Sequence, residues 1–153
     1  MYKGSGQSID VKIAVVVAEF NSYITESLLK GALETLENSG VNKSNIEVFK
    51  VPGAFEIPLM CEKIFAASKA EGIITLGAVI RGETPHFDFV AGSCANGVMR
   101  VSLDYKKPIS FGVLTTDSVE QALNRAGIKY GNKGVDAAQA LIGQLKTFQE
   151  ANI

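Results

Sequence analysis

The chain's single histidine, His86, closes the segment Arg81-Gly82-Glu83-Thr84-Pro85, which follows the largely apolar run Gly72 to Ile80. A strand that delivers a glycine-bearing loop to a helix start leaves backbone N–H groups without partners, and such groups bind anions. Histidine is the one side chain whose ordinary pKa lies near neutrality, so at that spot it can pass a proton. An anion site beside a proton carrier suits catalysis on a phosphate-bearing small molecule. The loop has no Gly-Lys-Ser/Thr and no Gly-x-Gly-x-x-Gly, so neither nucleotide signature applies. The plainer reading of His86 is a surface histidine that merely begins a helix.

Other residues with chemical potential fall at the ends of apolar runs, each with a structural alternative. Phe20 could stack on a planar ring or staple the helix that follows it. Glu56, at a helix start, could accept hydrogen bonds from ligand hydroxyls or serve only the helix dipole. Arg125 and Lys133 could hold phosphate or be solvated cations. Phe111 reads most simply as core. No cluster has metal-ligand spacing, so no metal site is expected. Cys61 and Cys94 lie far apart among apolar neighbours and read as two buried free thiols in a reducing cytoplasm.

The elements that position these residues alternate between strand and helix. Strands are expected at Lys12 to Ala18, Ile46 to Val51, Ile73 to Ile80 and Ile109 to Thr115. Helices are expected from Ile24 to Ser39, with Asn21 and Ser22 as caps and Gly40 as terminator. Further helices run from Phe55 to Lys69, with Pro58 in the first turn, and from His86 to Tyr105. A short one, capped by Asp117 and Ser118, reaches Ala126. After a loop from Gly127 to Gly134, a last helix covers Val135 to Glu150. Apolar strands alternating with helices predict an α/β fold of the flavodoxin-like type. That is a three-layer sandwich with a four-stranded parallel sheet, helices on both faces and right-handed crossovers. Ligands in such folds bind beyond the carboxyl ends of the strands, where the residues singled out above collect.

At 153 residues the chain reads as one domain, with residues 1–11 as an extended arm. A hydrophobic content of 46% with 20% charged residues is ordinary for a globular protein. A net charge of −1 without a basic block gives no reason to expect nucleic acid or an anionic membrane as partner. No apolar stretch approaches the ~20 residues of a membrane span, and no signal peptide is apparent.

Five ordered blocks carry a family resemblance. They are Phe20-Asn21, Val51 to Pro58, Leu76 to Val90, Phe111 to Thr116, and Arg125-Ala126-Gly127 with Asn132-Lys133-Gly134. In order and spacing, from about Lys12 onward, the chain resembles the lumazine synthases. The resemblance implies condensation of 5-amino-6-(D-ribitylamino)uracil with 3,4-dihydroxy-2-butanone 4-phosphate, without a cofactor, in riboflavin biosynthesis. It assigns Phe20 to stacking on the pyrimidinedione and Ala54, Phe55 and Glu56 to the ribityl chain. It assigns Ala78, Val79 and Ile80 to the pyrimidine edge, and Glu83 and Thr84 to the phosphate. Proton transfer falls to His86. Arg125 and Lys133 bind phosphate and Phe111 contributes to the pocket, all three from an adjacent subunit.

A shared pocket implies a homo-oligomer built from pentamers. The compact 127–134 linker, together with a Met1 to Asp10 segment that lacks proline and could add an edge strand to a neighbour, favours twelve pentamers in a hollow shell. A riboflavin synthase is a possible partner inside such a shell. Departures from the family pattern are Asn124 where glutamate is frequent, Glu19 where arginine is frequent, and Glu83 in a variable loop position. The competing functions are an archaeal-type riboflavin synthase and a shell protein without catalysis.

Overall fold

A computed structural model describes residues 1–4 and 9–153. Its sheet contains β1 (Ile13–Ala18), β2 (Ile46–Val51), β3 (Gly72–Ile80) and β4 (Ile109–Thr116). All neighbours pair in parallel, in the order β2-β1-β3-β4. The helices are α1 (Ser22–Asn38), α2 (Ile57–Ala66), α3 (His86–Tyr105), α4 (Val119–Asn124) and α5 (Lys133–Ala151).

The alternation of side chains along β1 sorts the core into two clusters. Ile13, Val15 and Val17 pack with Ile24, Leu28 and Leu36 of α1 and Leu141 and Ile142 of α5. Ala14, Val16 and Ala18 face the other way, onto Ile57, Cys61 and Ile64 of α2 and Cys94 and Val98 of α3. The sheet therefore carries a helical layer on each face, the flavodoxin-like sandwich that the alternation predicts. β1 is buried throughout and β3 as far as Ala78. The edge strands differ. β2 leaves Glu47, Val48 and Lys50 exposed, because only one of its sides has a strand to pair with.

Local chemistry sets the helix ends. α1 closes with Gly40 at φ 90°, the Gly40 N–H donating to Glu37 O and the Val41 N–H to Leu36 O. This pair of bonds is a Schellman motif, sealed by Val41 against Leu36 in the core. The segment expected to be helical from Phe55 to Lys69 is shorter. A 3₁₀ turn covers Ala54–Glu56, and α2 begins at Ile57 with Pro58 in its first turn. Its end needs a left-handed residue, and Ser68 takes that role at φ 54°.

α5 starts two residues before the expected Val135. Asn132 Oδ1 accepts from the N–H groups of Gly134 and Val135 and so caps the helix from inside the expected loop. Asn21 does not cap α1 with its side chain. It sits at φ 61° and its Nδ2 donates instead to Ala78 O across the sheet at 2.9 Å.

Of the expected arm, residues 5–8 lie outside the described residues, and the rest carries no strand. The N–H groups of Lys3 and Gly4 donate to Glu150 Oε2 on α5, and Ile9 is buried in the core. Among the described residues no helix is long and apolar enough to cross a membrane.

Candidate active site

β1 has β2 on one side and β3 on the other, so the chain reverses its direction of travel across the sheet between them. Open α/β sheets bind ligands at such a reversal, beyond the carboxyl ends of the strands. A cavity of about 630 Å³ lies there, a volume suited to a small molecule. It brings together nine of the residues singled out from sequence: Phe20, Ala54, Phe55, Glu56, Ala78, Val79, Ile80, Thr84 and His86.

Each wall has a local cause. The Phe20 N–H donates to Pro52 O at 3.0 Å, which fixes the β1 exit against the β2 exit and leaves the ring 72% exposed toward the opening. An exposed phenylalanine at a cavity mouth offers a flat apolar face. Asn21 ties the same exit to β3 through Ala78, a cross-strand link that a capping role does not predict. Glu56 ends the 3₁₀ turn, and its Oε2 lies over Gly53, 3.3 Å from where a Cβ would stand. A side chain at Gly53 would displace that carboxylate.

α3 begins in this cavity and α1 and α2 follow strand ends that line it; none of the three has a side-chain cap. Asn21 precedes α1 without capping it, Glu56 precedes α2 without capping it, and Pro85 before α3 has no acceptor to offer. α4 and α5, which start elsewhere, are capped by Ser118 and Asn132. At α2 the N–H groups of Glu56 and Ile57 are taken by Gly53 O and Ala54 O in the 3₁₀ turn, so the start of α3 is the one that presents N–H groups and a positive dipole end to an anion or a polar ligand in the cavity. His86 is the first residue of α3 and is exposed into the same space. Gly82 lines the cavity too, whereas Glu83 is exposed and does not.

The remaining candidates stand apart. Phe111, Arg125 and Lys133 line a second cavity of about 490 Å³ along the open β4 edge. No residue lines both cavities. Phe111 is half-buried, so strand and site are compatible. Arg125 lies 5.6 Å from the Tyr130 ring centroid and donates to Gln121 O. Tyr130, Thr115 and Asp136 also line this cavity, and sequence reading missed them. A carboxylate three residues after Lys133, one helical turn along, is the signal that points to Asp136.

Cys61 and Cys94 face each other between α2 and α3, both buried and both free. Burial pushes the Cys61 thiol up to about 12, with a contribution from Cys94, and the Cys94 thiol up to about 11. Neither is a nucleophile near neutral pH. Among the described residues no group of three or more His, Cys, Asp or Glu could hold a metal ion.

The family model for 6,7-dimethyl-8-ribityllumazine synthase matches residues 10–149. The chain belongs to that family, and its function is of the lumazine synthase type, in riboflavin biosynthesis.

Proposed function

We propose that this member of the lumazine synthase family condenses 5-amino-6-(D-ribitylamino)uracil with 3,4-dihydroxy-2-butanone 4-phosphate to give 6,7-dimethyl-8-ribityllumazine. The supporting observation is the single cavity that gathers a flat aromatic (Phe20), a carboxylate (Glu56), a strand end (Ala78–Ile80), an uncapped helix start and the only histidine. A planar ring would stack on Phe20, with its polar edge along the backbone of Val79 and Ile80. The hydroxylated ribityl chain would lie toward Ala54, Phe55 and Glu56.

The chemistry follows from that placement. The substrate amine attacks the ketone, and loss of water gives an imine. A proton leaves the neighbouring carbon as the phosphate departs with its bonding electrons. Elimination leaves an enol at the hydroxyl-bearing carbon, which takes a proton on its terminal methylene to become a methyl ketone. The second amine closes the ring on that new carbonyl and water is lost again. Holding both reactants in one pocket removes much of the cost of their meeting, up to ~7–11 kcal/mol in well-oriented systems. In this reading His86 moves protons among the amine, the carbon next to the imine and the leaving group. Gly82, Thr84 and the N-terminus of α3 hold the phosphate.

The pocket is completed across a subunit interface in this reading. Phe111, Arg125 and Lys133 belong to the cavity on the β4 edge, and a neighbour's edge would bring them to the first cavity. α3 supports assembly, since Phe89, Met99 and Leu103 are exposed at 69, 60 and 67% and fall on one side of the helix. A pentamer is the unit, with twelve pentamers in a shell as the proposed assembly.

Absorbance at the lumazine band, with both substrates present, tests the function. Protein-dependent lumazine formation is expected. His86→Ala should slow turnover about 10²-fold or more without abolishing it, the scale of a positioned acid–base group. Arg125→Ala should mainly impair use of the phosphorylated substrate. No acceleration over the blank by folded, assembled protein overturns the reading.

A further inference from the structure

Arg81 is the residue between β3 and Gly82, so it stands directly before the anion loop. A cation there is most simply a phosphate ligand. The geometry points to another task. Its Nε donates to Asp117 Oδ1 at 2.9 Å, and a terminal guanidinium nitrogen lies 3.5 Å from Asp88 Oδ1. The guanidinium also covers the Phe87 ring, 4.3 Å from its centroid. Its backbone N–H donates to Thr116 O at 2.8 Å. The hydrogen bond to Asp117, with the charges of both aspartates, holds the guanidinium pKa above its ordinary value.

Asp88 lies in the first turn of α3, the turn whose N–H groups face the loop. A carboxylate there favours the helix but opposes an incoming phosphate. Asp117, at the β4–α4 connection, adds a second negative charge to the same neighbourhood. One cation faces two acids, and all three are partly exposed.

We infer that Arg81 is a positioning residue that cancels the negative charge of Asp88 and Asp117 beside the anion loop and binds the first turn of α3 to the β4–α4 connection. It does so without itself contacting the phosphate. This inference rests on reading the loop as a phosphate site. Because β4 and α4 lead to Arg125, the same side chain also couples the loop to the element that serves a neighbour's pocket.

Calorimetric titration of the assembled protein with inorganic phosphate at low salt tests the inference. Arg81→Gln should weaken binding about threefold to fivefold, the scale of partly exposed charges. R81Q/D88N/D117N should bind at least as tightly as the parent, because the cation and both acids are gone together. Asp88→Asn alone, with Arg81 intact, should bind more tightly than the parent. These differences should shrink at ~0.5 M salt, where charges farther apart than about 3–5 Å are screened. A loss in R81Q that persists in the triple variant makes Arg81 a direct ligand and overturns the inference. An unchanged R81Q, or no phosphate binding by the parent, overturns it as well. Lumazine formation by the same preparations separates the two readings. Without turnover but with the expected order of affinities, the charge clamp stands and the proposed reaction falls. With turnover and no such order, the clamp alone falls.

Discussion

At the scale of single residues, the site is defined as much by missing bonds as by present ones. His86, Phe20 and Glu56 line the cavity, and the helices that follow them carry no side-chain cap. The two cysteines show the opposite treatment. Their thiols are raised from 9.0 to about 12 and about 11 by burial, so the folded protein keeps them protonated. Below pH 9 they are protonated in folded and unfolded chains alike, and their contribution to stability is fully present. Above pH 9 the unfolded thiols ionise and the folded ones do not, so that contribution declines as pH rises toward 11 and 12. Unfolding free energy measured by denaturant titration should therefore fall between pH 9 and 11. Replacing both with alanine would leave a cavity of its own, so Cys61→Ala with Cys94→Ala is not a clean control. The direct check is thiol labelling at pH 8, which should proceed only after denaturation. Rapid labelling of the native protein would contradict the packing of α2 on α3.

At the scale of elements, α1 and α5 pack through apolar side chains along their length, and at the start of α5 their backbones also come into close approach. A Cβ built on Gly134 would collide with Leu28 O, and one on Gly31 would lie 2.8 Å from the Asn132 amide. Gly134→Ala should thus cost about 1–3 kcal/mol, the range for overpacking a closed site, and should disturb Lys133 and Arg125 beside it. Thermal melting with a parallel turnover assay reads both effects, and an unchanged melting temperature would mean the helices sit farther apart than described. Ser68 offers the converse. Its φ of 54° is left-handed, so Ser68→Gly should stabilise by about 0.5–1 kcal/mol in denaturant melts.

These ends also show where sequence is readable. The apolar runs of β1 and β3, and α3 from His86 to Tyr105, lie where the pattern places them, because burial on both faces or a long helical period leaves few alternatives. The start of α5 is hidden, since Asn132 in a glycine-rich segment reads equally as a turn. Asn21 is misread for a related reason. Its amide can cap a helix or bridge two strands, and only the neighbouring carbonyl of Ala78 decides between them.

At the scale of the whole molecule, the proposed reading divides one site between two cavities of the chain. The cavity at the β1/β3 reversal holds Phe20, Glu56 and His86. The β4 edge holds Phe111, Arg125 and Lys133. Sequence order cannot show this division, because residues that serve one substrate need not converge within one chain. A head-to-tail ring joins unlike edges, so each pocket would take His86 from one subunit and Arg125 from the next. This arrangement can be tested without a structure of the assembly. His86→Ala and Arg125→Ala chains, each impaired alone, can be denatured together and refolded as mixed rings. A pocket is intact when its own subunit carries the arginine change and its neighbour carries the histidine change, which random mixing gives for about a quarter of pockets in a closed ring. Turnover should therefore rise to about that fraction of the unmodified protein, well above the mean of the two variants refolded separately. If both residues served the same chain's pocket, no mixture would contain an intact site, and turnover would stay at that mean.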